Sequence, residues 1–375
     1  MRVAGKRAWI SVACTTLVTV LVGMGLAGCG FGNNNNVPPG PTPQPGSEFV
    51  FVPDAVNNIL NVLVIGPDGS FNNGPVPVVA TGSAPVWAAV DPTTHFVYVT
   101  NFNGNTVSAF TLNTTSGAVA KVSGSPFAAG TNPGAVAVDP SGKFAYVANN
   151  GSNNVSGYSI GATGALTAVP NSPFPAGTTP QQGIAATAGF VYVNNLGTSN
   201  VSAYSINAGT GALAALAASP FATGAGPESL AMDPAGKFLF TANMNSNNVS
   251  AFTVNADGSL NPVPGSPFPA GNSPQYLVTD RTGTYLYVVN VNDNAVEAYT
   301  IAQSGANAGA LAVLNLYSTG FGPEGLAVDA ANKFLMVANC GDGTLSGFSI
   351  NGGGTLTSLG TLFLGGCPQA VATSH

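Results

Sequence analysis

Residues 133–169 read PGAVAVDPSGKFAYVANNGSNNVSGYSIGATGALTAV, and this stretch decides the fold. A proline opens a short run of small apolar residues, Ala135 to Asp139, and Pro140-Ser141-Gly142-Lys143 is a turn. Phe144 to Asn149 reads as a second strand and Asn150 to Asn153 as a second turn. Val155 to Ile160 alternates as a third strand does, Thr163-Gly164 is a hairpin turn, and Ala165 to Val169 is a fourth strand. Four short antiparallel strands in one unit, with no helical period between them, make one blade of a β-propeller.

The unit repeats. Its opening proline recurs at Pro85, Pro133, Pro180, Pro227, Pro274, Pro323 and Pro368, with gaps of 48, 47, 47, 47, 49 and 45 residues. The second strand, counted independently, ends at Asp54, Asn101, Asn149, Asn195, Asn243, Asn290 and Asn339. Both counts give seven blades. The first blade has no inner strand ahead of it, and Gln369-Ala370-Val371-Ala372 follows the last proline. The C-terminal strand is therefore expected to complete blade one and close the ring, leaving no open sheet edge.

Ahead of the repeats lies a different kind of sequence. Arg2, Lys6 and Arg7 precede an uncharged apolar stretch, Ala8 to Met24, and Leu26-Ala27-Gly28-Cys29 matches a bacterial lipobox. Residues 1–28 read as a lipoprotein signal peptide and Cys29 as the lipidation site; an uncleaved membrane anchor is the alternative. Residues 29–47, rich in Asn and Pro, form an extended tether. Residues 48–375 are the propeller, placed outside the cytoplasm on either reading and expected to be monomeric. Only 6% of the chain is charged, and without residues 1–28 five basic residues face 14 acidic ones, a net charge of −9. No basic stripe exists, which argues against nucleic acid as a partner.

Tyr98-Val99-Thr100-Asn101, with its variants Tyr146-Val147-Ala148-Asn149 and Met336-Val337-Ala338-Asn339, is a signature. Together with Asp139-Pro140-Ser141-Gly142-Lys143-Phe144 and Thr163-Gly164-Ala165-Leu166-Thr167, it makes the chain resemble the YVTN-repeat and lactonase-type (6-phosphogluconolactonase-like) seven-bladed propellers. The resemblance runs through all seven repeats. It implies this fold, and for some members a lactonase activity with His and Arg around the channel. This chain has Gln, Val, Gly and Glu there.

Propellers offer ligands the face where strand one begins. The residue after each opening proline rings that mouth: Gln369, Val86, Gly134, Gln181 (or Gln182), Glu228, Gln275 and Glu324 in blade order. Gln181, Glu228, Gln275, Glu324 and Gln369 form a contiguous arc, the candidate ligand site, with Asp54, Asp293 and Asp342 in loops on the same side. Such groups can hydrogen-bond a sugar or hold Ca²⁺ or Mg²⁺, or they can simply line a hydrated channel. No cofactor is required by the pattern. Lys143, Lys237, Lys333 and Arg281 fall in turns on the far face and Lys121 on an outer strand, so no cation awaits a phosphate at the mouth. His95 is on the far face too and His375 is the final residue. General acid–base work would fall to Glu228 or Glu324.

Cys340 follows strand two of blade seven, and Cys367 precedes strand one of blade one. In an exported chain that placement predicts a disulfide across the ring closure, with free thiols or a two-ligand metal site as alternatives. The seven residues ending strand two, mostly Asn, read as structural turn caps because they recur in every blade. Two functions stand open. One is a lipid-anchored module that binds a protein or glycan at the cell envelope. The alternative is a hydrolase of unphosphorylated lactones.

Overall fold

A computed structural model describes residues 47–374; the expected signal peptide, Cys29 and nearly all of the expected tether lie outside the described residues. Seven antiparallel sheets follow one another, each built from four strands in the order inner to outer. Blade three is typical, with strands Pro133–Val138, Phe144–Asn149, Asn154–Ile160 and Leu166–Ala168. The core is distributed in seven clusters, each lying between neighbouring blades. Hence both faces of every second strand are apolar: Phe144–Asn149 is buried throughout. Among the described residues, no helix is long and apolar enough to cross a membrane.

The recurring motifs are explained by what they bond. Asp139 caps the first turn through Oδ1, which accepts the N–H groups of Lys143 at 2.9 Å and Phe144 at 2.7 Å. Asp233, Asp280 and Asp329 repeat the arrangement. The tyrosine of each signature crosses to the next blade. Tyr98, Tyr146, Tyr192 and Tyr287 donate to the carbonyls of Gly164, Gly211, Gly258 and Gly354 at 2.9–3.1 Å. The asparagine ending strand two has a structural role, but it acts across strands rather than within its own turn. Asn149 Nδ2 donates to Asn154 and to Ser156 of strand three, and its Oδ1 accepts the N–H of Gly130 from the preceding linker.

One element went unseen in the sequence. In blades two to five a two-residue segment, such as Phe174–Pro175, pairs with strand three beyond the end of strand four. The Ser-Pro-Phe tripeptides at 125, 172, 219 and 266 mark the splice, where each serine accepts a strand-three N–H at 2.9–3.0 Å. Blades six, seven and one lack the tripeptide, and their outer strands run unbroken over Leu311–Ser318, Leu356–Phe363 and Phe71–Ala80.

The C-terminus closes blade one as expected, though with less regular pairing than a full strand. Ala372–Thr373 pairs with Val50 and Phe51, and Pro368 bridges Asp54. Gln369 N donates to Pro53 O at 3.0 Å, and Phe49 exchanges two bonds with Ser374. Cys340 and Cys367 form a disulfide with Cα atoms 4.1 Å apart.

Candidate active site at the channel mouth

The inner strands start irregularly, and the irregularity aims the site. In blades two, five, six and seven the pairing of strand one with strand two slips between the opening proline and the second residue after it. A bulge of this kind frees one residue from the ladder and turns its side chain. The freed residue is the one after the proline, which places Glu228, Gln275 and Glu324 at the mouth. In blade four the slip spans Pro180 to Ile184, and of its two glutamines Gln181 is the one that joins the site.

Gln181 Nε2 donates to Glu228 Oε1 at 3.0 Å, and Asn150 Nδ2 donates to Gln181 Oε1. Glu228 is 3% exposed, and its other oxygen, Oε2, is buried without a hydrogen-bond partner. Burial pushes its carboxyl up to about 8; the nearby charge of Glu324 adds to the rise, and the Gln181 bond works against it. Glu324 is half-buried. Burial raises its carboxyl to about 7, opposed by the Gln369 amide. Tyr276, one residue beyond Gln275 in blade six, senses both glutamates; burial first, then those two charges, hold its phenol well above its ordinary range.

Of the predicted arc, Gln275 stands apart from the glutamates. Gln275 turns to Met244 Sδ at 3.3 Å and Ser273 Oγ at 3.5 Å. Gln369 lies against the disulfide, its Nε2 2.9 Å from Cys367 Sγ. The loop carboxylates are occupied by structure. Asp54 accepts the N–H groups of Val56, Asn57 and Cys367; Asp293 holds Asn272; Asp342 accepts Phe321 N at 2.7 Å. A carboxylate oxygen of Glu324 and the sulfurs of Cys340 and Cys367 lie within 4.8 Å of one another. The two sulfurs are bonded together, so no thiolate is left to ligate a metal there.

The sequence reading missed the floor of the site. Trp87 reaches from blade two to stack on Tyr276 of blade six, with ring centroids 6.3 Å apart and planes 24° from parallel. It also packs against the clusters between blades two and three, three and four, and six and seven. The indole therefore spans the channel below the mouth. A signal was present: at the second position after the opening proline, Trp87 and Tyr276 stand where the other blades have Ala135, Gln182, Ser229, Gly325 and Ala370.

On the far face, Arg281 donates to the carbonyls of Asp329 and Val328 and to Thr373 Oγ1. It links blade six to the closing strand. Among the described residues, Lys143, Lys237 and Lys333 are in first-to-second-strand turns and Lys121 is on an outer strand, away from the mouth.

With this geometry in place, comparison with known proteins is informative. The profile of the family described as "Lactonase, 7-bladed beta-propeller" matches residues 67–272 and 264–364. The chain belongs to the seven-bladed β-propeller lactonase family. A periplasmic gluconolactonase from Pseudomonas aeruginosa superposes with a TM-score of 0.71 at 19% identity, over 88% of this chain and 99% of that one. A putative 6-phosphogluconolactonase from Bacteroides fragilis gives 0.73 at 21% identity, over 88% and 98%. One from Bacteroides uniformis gives 0.75 at 17%, over 87% and 99%. No curated protein sequence matches the chain. At these identities the structures share the lactonase propeller fold with this chain.

Proposed function

We propose that the channel mouth hydrolyses lactones that carry no phosphate. The observation that carries the reading is the pair of glutamates with unequal surroundings on either side of Tyr276. Glu324, the more exposed, takes a proton from water as the water adds to the lactone carbonyl carbon. Glu228, protonated near neutral pH, uses its otherwise unpartnered Oε2 to give a proton to the ring oxygen as the C–O bond breaks. The neutral Tyr276 hydroxyl is suited to hydrogen-bond the tetrahedral oxyanion. Family membership supports this reading over a purely binding role. With its basic residues elsewhere, the mouth has no cation to match a phosphate.

The decisive experiment is a panel of phosphorylated and unphosphorylated lactones offered to the purified protein, with and without Ca²⁺ or Mg²⁺. Hydrolysis of unphosphorylated lactones without added metal is expected; turnover confined to phosphorylated ones would sink the proposal. We further propose that the protein is exported and lipidated at Cys29. The disulfide supports an oxidising compartment. Intact-mass analysis of membrane-extracted protein should show acylation that Cys29→Ala abolishes.

A further inference from the structure

Repeats make departures visible. In five linkers the residue after the linker glycine is Ser83, Thr131, Thr178, Ala225 or Asn272; blade seven has Phe321. The residue paired with the first residue of strand three is Ala80, Ala128, Pro175, Ala222, Pro269 or Ser318 in six blades; in blade seven it is Phe363. Two places after the end of strand two, the other blades carry Asn103, Gly151, Gly197, Asn245, Asn292 and Gly341; blade one has Val56. All three departures exchange a small or polar residue for a large apolar one. All three are exposed, Phe321 to 63%, Phe363 to 74% and Val56 to 65%.

They also lie together, on the mouth side of blades seven and one. The Phe321 ring lies over Gly341, where an added methyl would run into it, and Phe363 lies beside Gly365. The loops of Gly343 and Gly365 touch, and Cys340 and Cys367 bind those same two loops together. Ala55, beside Val56, donates to Cys367 O at 3.1 Å. At its inner end the disulfide stands within 4.8 Å of the Glu324 carboxylate. Phe321, Phe363 and Val56 thus stand on adjoining loops around the disulfide, whose sulfurs reach the candidate general base. No lysine or arginine lies in these loops, and the carboxylate of Asp342 beside Phe321 disfavours an anionic ligand. Exposed apolar side chains gathered in one place mark a surface that is covered in use.

We infer that the site takes lactones whose ring bears a long uncharged alkyl or acyl chain, the ring at Glu324 and the chain laid along Phe321, the disulfide, Phe363 and Val56. This rests on the lactonase reading of the mouth and adds the substrate class to it. The test uses γ-butyrolactone, γ-octalactone and γ-dodecalactone with the full-length protein. The ratio kcat/KM is expected to rise about twofold per added methylene, as for a chain covered on one side. Phe321→Ser combined with Phe363→Ala should flatten that slope. Val313→Ser, on the outer strand of blade six, should leave it intact. Both variant proteins should melt like the parent, since the replaced rings are largely in solvent. Equal efficiency along the series, or a slope unchanged in the double variant, overturns the inference while the lactonase reading stands. If no lactone is hydrolysed, the lactonase reading fails instead. Calorimetric binding of the corresponding γ-lactams then tests the inference separately: affinity independent of chain length overturns it, and affinity that rises with length and is lost in the double variant upholds it.

Discussion

Gln181 Nε2 holds one oxygen of Glu228 at 3.0 Å, and the other oxygen of that carboxyl, buried in the channel mouth, meets no partner. A buried polar atom without a partner is costly. The amide fixes the carboxyl's orientation and leaves Oε2 as the oxygen that the proposed proton donation would use. Gln181→Leu should therefore lower kcat more than it raises KM, whereas Gln181→Asn should restore part of the loss. Steady-state kinetics on the best lactone separate the two.

The two glutamates set a pH window. Glu324 must be ionised to act as base, which requires pH above about 7; Glu228 must keep its proton to act as acid, which fails above about 8. The rate should follow a narrow bell with its maximum between those values. Because the groups interact, the limbs belong to the pair rather than to either residue. Glu324→Gln should remove the rising limb and Glu228→Gln the falling one, each with a loss on the order of 10²-fold or more. A flat profile from pH 6 to 9 would exclude both roles.

Stability, by contrast, should fall steadily as pH rises. Glu48, raised to about 7 chiefly by burial, joins Glu228 and Glu324 as a carboxyl whose folded value lies above its unfolded 4.5. Between pH 4.5 and about 8 the folded protein holds protons that the unfolded chain has released. The stabilisation from these groups is fully present below pH 4.5 and is lost as pH rises through 7 to 8. A higher urea midpoint at pH 5 than at pH 9 is expected, with the difference reduced in Glu48→Gln and Glu228→Gln. An unchanged difference in both variants would count against these assignments.

Seven blades, their order and the closing disulfide were legible because the repeat prints each signal several times, and Cys340 and Cys367 sit at homologous ends of adjacent blades. The residues after the prolines were legible for the same reason. What escaped were departures from the repeat. Trp87 crosses the channel to Tyr276, a contact between blades two and six that no local period encodes. Gln275 sat in the expected ring, yet its rotamer turns it to Met244, while Gln369 meets both Glu324 and the Cys367 sulfur. Periodicity reports the scaffold; side-chain direction around an axis depends on neighbours from distant blades.

The latch between Tyr98 and Gly164 can be broken from either side. Gly164 has φ of +82°, and a methyl there would collide with the Phe96 ring. Gly164→Ala should thus be destabilising by roughly 2–3 kcal/mol, combining left-handed strain with overpacking. Tyr98→Phe, which strands the buried Gly164 carbonyl, should cost about 1–2 kcal/mol. Chemical denaturation of both single variants and the double variant checks the coupling; strict additivity would deny that the two residues act as one contact.

The bond between Cys340 and Cys367 clamps the only place where the ring is held by chain ends rather than by a continuous blade. Ala372–Thr373 offers just two paired residues, supplemented by an isolated bridge at Pro368 and hydrogen bonds at Gln369 and Ser374. The disulfide closes 27 residues of chain. Chain entropy puts its contribution at roughly 3–4 kcal/mol. Reduction, or Cys340→Ser with Cys367→Ser, should therefore lower the melting temperature by several degrees and expose the first blade before the others. Hydrogen exchange would detect this as early loss of protection at Val50 and Phe51, the partners of the closing strand. Since Gln369 and Glu324 both lie beside the sulfurs, the same variant should also lower lactone turnover at temperatures where it remains folded. Unfolding that begins equally in all blades would show that the ring closes without the clamp.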